Sequence, residues 1–321
     1  MDALSQILTA LSVKSYITTG IKAGSTFAIE FPPFDGMKLL AVRSGRLFFK
    51  PTGDAQTEES DWTELDSGKL LLLTRPMSFI LTAKPGNAVK SSQETPYTVE
   101  NGLANYGGDE IVMLGGKMTL DPSASGTFVE SLPPSILISN DTPQSSRLHW
   151  LMQALHTEIL SPQPGSSLMS VHFMQLVLLE IIRTWINSPV ASEKPGIFQA
   201  LKSPPIFRVL SAMHGNPERD WSLESLASIA NMSRAGFAAQ FKELLGVPPL
   251  KYLTQWRISC ACKLLREENL SVKETAARLG FSSSAHFTAV FKRVMGLPPS
   301  ECKLLQASVI SSRLQEFQKN G

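Results

Sequence analysis

The sequence predicts a two-domain α+β protein: a β-rich N-terminal barrel or sandwich, a helical connector and an all-α C-terminal domain. Three observations carry this prediction. The chain has 321 residues, more than one ordinary core accommodates. Short apolar segments separated by turn residues fill the region before about residue 140. Near the C-terminus one segment is written twice, first over 222–251 and again over 271–303.

The N-terminal strands are expected at 27–31, 39–42, 46–50, 70–73, 79–82, 111–114 and 136–138. Ser44-Gly45, Pro51-Thr52-Gly53-Asp54, Ser67-Gly68, Pro85-Gly86 and Gly115-Gly116 supply the turns between them. Many short strands at this spacing read as a sandwich or barrel over 1–145. Two helical stripes follow within 146–186. Leu148, Leu151, Met152, Leu155 and Ile159 line the first, and Phe173, Leu176, Leu179, Ile182 and Trp185 line the second. Ser161-Pro162-Gln163-Pro164-Gly165 turns the chain between them. Residues 187–203, rich in Pro, Ser and Lys, read as an inter-domain linker, 204–304 as the C-terminal domain and 305–321 as a tail.

The repeated segment has matching punctuation. Each copy begins with a short helix, 223–230 or 272–279, and continues through a tight turn at Asn231-Met232 or Gly280-Phe281. Ser233 or Ser282 is then expected to cap a second helix. Phe237 with Phe241, and Phe287 with Phe291, are spaced i and i+4, so each pair stacks on one helix face. Gly246 and Gly296 end these helices, and Pro248-Pro249 and Pro298-Pro299 prevent continuation. The copies are offset by 49 residues up to Ser233 and Ser282, and by 50 from Phe237 and Phe287 onward, so the second carries one extra residue. A short helix, a tight turn and a capped second helix make a helix-turn-helix, whose second helix lies in the DNA major groove. The helix from Lys251 onward would span on the order of 25 Å at about 1.5 Å per residue. That length suits two reading helices roughly 34 Å apart, one turn of DNA.

Charge is divided between the halves. From Leu201 onward there are 16 Lys and Arg against 9 Asp and Glu, whereas the preceding residues hold 14 against 19. A basic half is what phosphate binding requires, and Lys242, Lys251, Arg257, Lys263, Lys292, Arg293 and Lys303 could supply the basic face. Ser233 and Ser282, at the helix starts, are further phosphate candidates. Before and between the core Phe residues lie Arg234, Ala235, Ala238, Ala239 and Gln240 in the first copy. Ser283, Ser284, Ala285, His286, Thr288 and Ala289 hold the corresponding places in the second. These are the base and groove candidates. With so many small side chains, methyl contacts, backbone contacts and DNA shape are expected to outweigh bidentate pairing.

The second copy resembles the AraC/XylS family of bacterial transcription regulators. The resemblance rests on Gly280-Phe281, the Ser-rich start, His286-Phe287, Phe291-Lys292-Arg293 and Gly296-Leu297-Pro298-Pro299. Between the copies, Tyr252, Leu253, Arg257, Ala261, Leu264 and Leu265 fall at the positions of that family's connecting helix. Phe237, Phe241, Gly246, Arg257, Phe287, Phe291 and Gly296 are then structural core residues of the two units. The N-terminal region is similar to the cupin-like sensor of one branch, through Met1-Asp2-Ala3-Leu4 and Leu132-Pro133-Pro134. The resemblance implies a sequence-specific DNA-binding regulator of double-stranded promoter DNA, answering to a small-molecule effector. It also implies RNA polymerase as a further partner and a homodimer paired through the connector helices.

A cupin can also be an enzyme, so a second reading is a small-molecule-binding or enzymatic cupin with a helical protein-interaction domain. No His precedes His149 and no Cys precedes Cys260, which argues against both a transition-metal site and a thiol switch in the N-terminal domain. Cys260 and Cys262 point about 200° apart on one helix and cannot share a metal; with Cys302, they read as packing residues. His156, His172 and His214 are lone residues in helical stretches, for which packing is favoured over ligation. Asp109-Glu110 is expected on a strand, its carboxylates on opposite faces. No P-loop, GxGxxG, GxSxG or HExxH motif is present, so no catalytic, cofactor or metal site is expected. The expected setting is the cytoplasm, with no signal peptide and no uninterrupted apolar span of membrane length.

Overall fold

Alternating apolar residues pair the N-terminal strands into two sheets. The structure is a computed structural model. It describes all residues except 1, 11–13, 35, 53–61, 101–102, 120–128, 130, 140–144, 162, 189–195, 267 and 303–321, with backbone alone for 10, 14–19 and 145. The strands are β1 (Lys14–Ala23), β2 (Ala28–Phe31), β3 (Met37–Ser44), β4 (Arg46–Thr52), β5 (Thr63–Asp66), β6 (Leu70–Leu73), β7 (Ser78–Thr82), β8 (Lys90–Ser91), β9 (Thr98–Glu100), β10 (Leu103–Asn105), β11 (Ile111–Thr119) and β12 (Ser135–Ile138). One sheet has seven strands in the order β12-β6-β3-β11-β1-β10-β9, and the other five in the order β5-β4-β7-β2-β8. Of barrel and sandwich, the described strands form the open sandwich. Leu40, Val42, Leu47, Phe49, Leu71, Leu73, Phe79, Leu81 and Met113 fill the space between the sheets.

The other face of the larger sheet carries two helices, α2 (Ser145–Leu160) and α3 (Ser166–Ile186), which pack against each other. Gly115 and Gly116, expected as a turn, lie inside β11. A Cβ on Gly116 would run into the Met174 thioether of α3, so glycine there brings helix and sheet together. Asp109-Glu110 sits at an exposed bend before β11, not on a strand. By length and composition alone the α3 helix could cross a membrane, although Glu180 and Arg183 interrupt its apolar run. Its buried residues, Met174, Val177, Leu178, Ile181 and Ile182, identify the side that packs within this unit.

The second compact unit contains α1 (Ala3–Ala10), α4 (Ile197–Lys202), α5 (Pro204–Gly215), α6 (Leu223–Ala230), α7 (Arg234–Leu245), α8 (Pro249–Arg266), α9 (Val272–Arg278), α10 (Ser284–Met295) and α11 (Pro299–Cys302). Two boundaries differ from expectation. The opening helix α1 packs on α5, where the Ala3 amide donates to Ser211 Oγ at 3.0 Å, instead of joining the sandwich as 1–145 implied. Part of the expected linker 187–203 is the helix α4, because Ile197, Phe198 and Ala200 are buried there. The tail 305–321 lies outside the described residues.

Candidate nucleic-acid interface

Each half of the repeat folds as its punctuation dictates. Ser222 and Ser271 form capping boxes with Ser225 and Glu274 at the starts of α6 and α9. Asn231 turns the chain with φ 56° and Gly280 with φ 71°. Gly280 is required for a second reason: a Cβ there would strike the backbone of Glu218, on the loop before the first unit. Ser233 caps α7 by accepting the Gly236 amide at 3.2 Å. In the second unit the cap is Ser283, which accepts the His286 amide at 3.1 Å, and not Ser282. The extra residue of the second copy therefore lies in the turn, between Gly280 and Ser283, and Ser233 corresponds to Ser283. Ser282 Oγ instead sits 3.2 Å from His286 Nδ1.

Phe237 and Phe241, like Phe287 and Phe291, are fully buried, with ring centroids 5.6 Å apart in both pairs. Their opposite faces are outside. Ala235, Ala239 and Lys242 are exposed along α7, and Ala285, Ala289 and Lys292 are exposed at the corresponding places on α10. The two helices present the same residue types at all three positions. Arg234 is exposed and ion-paired with Glu224 at 2.7 Å, both side chains more than half exposed, so the pair is weak and exchangeable. Ala238, Gln240, Ser284 and Thr288 are half-buried at the flanks, and His286 is exposed. Arg293 is exposed too, while its counterpart on α7 is the exposed acid Glu243. Gly246 and Gly296 close the helices with φ 75° and 72°. Pro249 and Pro299 then open α8 and α11.

The connecting helix does more than span. From α8, Arg257 donates to the carbonyls of Pro217 at 2.6 Å and Arg219 at 2.8 Å, both before the first unit. Its guanidinium also lies 5.7 Å from the centroid of Phe281, in the turn of the second unit. One side chain thus ties both units to their connector, a role that sequence spacing did not reveal. Its Nε and Nη2 are thereby engaged in holding the fold. Lys263 likewise donates to the Thr9 carbonyl at 3.2 Å. Lys251 is half-buried at the start of α8, and Lys303 lies outside the described residues. His214 from α5 stacks on Trp256 at 3.9 Å and bonds Tyr252 Oη at 2.8 Å, which makes it a core residue. Cys262 and Cys302 are buried in the core of the second unit. Burial pushes the Cys260 thiol up to about 12.

Two family models match the chain. A helix-turn-helix domain model matches 226–303 and a cupin model matches 2–187. A Streptomyces lividans protein named an AraC-like transcription regulator is 31% identical over 285 residues, covering 88% of this chain and 91% of its own. The chain belongs to the AraC-like transcription regulators. This AraC-like regulator is also 30% identical over 285 residues to a namesake from Streptomyces antibioticus, covering 88% of this chain and 92% of that one. It is 31% identical over 236 residues to the RCS-specific HTH-type transcriptional activator RclR of Escherichia coli K12, covering 73% of this chain and 80% of that one. Its DNA-binding architecture is the helix-turn-helix pair α6–α7 and α9–α10, and its N-terminal domain is cupin-like.

Proposed function

We propose that this regulator reads promoter DNA by laying α7 and α10 in two successive major grooves. The observation that carries the reading is the pair of matching exposed stripes, Ala235-Ala239-Lys242 and Ala285-Ala289-Lys292. Small residues let each helix backbone approach the base edges, where methyl groups meet thymine methyls. Arg234, Gln240, Ser284, His286 and Thr288 add polar contacts at the helix starts and flanks. Ser233, Ser282, Lys242, Lys251, Lys292 and Arg293 hold phosphates. The protein is a cytoplasmic, non-enzymatic regulator whose sandwich takes a small-molecule effector, and RNA polymerase is a second partner on the promoter.

Gel mobility shift on promoter DNA over a salt series tests this. Binding should weaken linearly on a log–log plot as salt rises, and Lys292→Gln should reduce the slope by about 1 while weakening all sequences alike. An unchanged slope in both Lys242→Gln and Lys292→Gln would remove these lysines from the interface.

Homodimerisation through the connector is supported by the outer side of α2 and α3. There Trp150 and Leu168 are each 63% exposed, and Met169 and Leu176 each 46%. Sedimentation of the full chain should give a dimer that Trp150→Lys shifts toward monomer; an unaltered dimer places the interface elsewhere.

A further inference from the structure

Lys38 of β3 and Lys117 of β11 stand directly opposite each other in the ladder of the larger sheet. Strand alternation puts Lys38 on the face of Leu40 and Val42, and Lys117 on the face of Met113, all three of which are sandwich core residues. Two ammonium side chains therefore enter the space between the sheets side by side. Like charges facing across a ladder repel. Among the described residues neither lysine has a carboxylate partner.

Three rings occupy the place where a counter-ion would sit. Lys38 Nζ lies 5.1 Å from the centroid of Phe31, 5.8 Å from Phe34 and 5.1 Å from Phe79. Phe79 is fully buried, stacks on Phe31 at 5.2 Å and meets Phe34 edge-on at 6.2 Å. Phe31 and Phe34 are only partly buried, so the cluster reaches the rim of the sandwich. Burial, and then the charge of Lys117, lowers the Lys38 pKa. Ring faces compensate a desolvated ammonium only in part. An anion at this place would relieve both the desolvation and the repulsion.

We propose that Lys38, Lys117 and the Phe31–Phe34–Phe79 cluster form a binding site for an organic carboxylate with a planar, aromatic body. The two ammonium groups hold the carboxylate, and the aromatic body extends the ring cluster by offset or edge-on stacking. As the effector site, it rests on the regulatory reading given above; as a binding site it does not, so it is tested without DNA.

Thermal melting and isothermal titration of the full chain use benzoate, 3-phenylpropanoate and indole-3-acetate, each beside its neutral primary amide. At least one acid should raise the melting temperature more than its amide. Lys38→Met and Lys117→Met should each weaken that acid roughly tenfold or more, the loss of a charge-assisted hydrogen bond. Without ligand, Lys38→Met should melt above the parent, because it removes a charge that is both desolvated and repelled. Equal effects of all acids and amides, undiminished binding in both variants, or a lower melting point for ligand-free Lys38→Met would each overturn the site. A mobility shift on the same preparations separates the two readings: loss of DNA binding with carboxylate binding intact would sink the regulator and leave the site standing.

Discussion

Burial pushes the pKa of His214 down to about 3, from the ordinary 6.5, because its ring is enclosed by Trp256 and Tyr252. The unfolded chain takes up a proton on this ring below about 6.5, whereas the folded chain resists until about 3. Stability associated with the neutral ring is therefore complete above about 6.5 and is lost as pH falls from there toward 3. Melting curves between pH 7 and 5 should fall more steeply for the parent than for His214→Phe; parallel curves would show that the ring ionises freely in the fold. A lone histidine in a helical stretch was readable as a packing residue. The Arg257 bonds were not, since Pro217 and Arg219 are 40 and 38 residues away in the chain. Neither was the second demand on Gly280, whose positive φ was predictable but whose approach to Glu218 is tertiary.

At the scale of elements, helix ends depend on single atoms. Ser283→Ala should cost about 0.5 to 2 kcal/mol, since it leaves the His286 amide without its cap, whereas Ser282→Ala should cost much less. Denaturant titration of the two variants decides this, and the opposite ranking would move the cap back one residue. Most elements with strong local signals were legible. The helix-turn-helix units follow from repeated Ser, Phe, Gly and Pro, and Leu70–Leu73 follows from four consecutive leucines. Among the strands that escaped notice, β8 and β9 lack such signals. In β9 all three residues are exposed, so Thr98–Glu100 shows no buried alternation. The strand β8 is two residues long, and Gly115-Gly116 has the composition of a turn. The helix α1 was missed because its partner α5 lies some 200 residues further on, as the separation of 208 between Ala3 and Ser211 shows.

For the whole molecule, the matched residues of the two units matter only if their spacing is held. Arg257→Lys keeps a charge but loses the fork that joins two carbonyls. It should cost about 1 to 3 kcal/mol in unfolding. It should also weaken binding to DNA carrying both half-sites more than binding to a single half-site. Mobility shifts on the two probes compare these losses, and equal loss on both would mean that Arg257 stabilises without aligning. The Lys38–Lys117 pair belongs to this scale as well. Each lysine is unremarkable in its own strand, and only the ladder between β3 and β11 brings them together.

Glu243 and Arg293, at equivalent places on α7 and α10, make the two halves of the reader electrically unequal. On the two-groove reading, a protein with indistinguishable halves could slip by one helical turn and leave one half hanging off its operator at little penalty from the half still engaged. With an acid on one helix and a base on the other, the two grooves are no longer interchangeable. On that same reading, the complex acquires a fixed phase along the duplex.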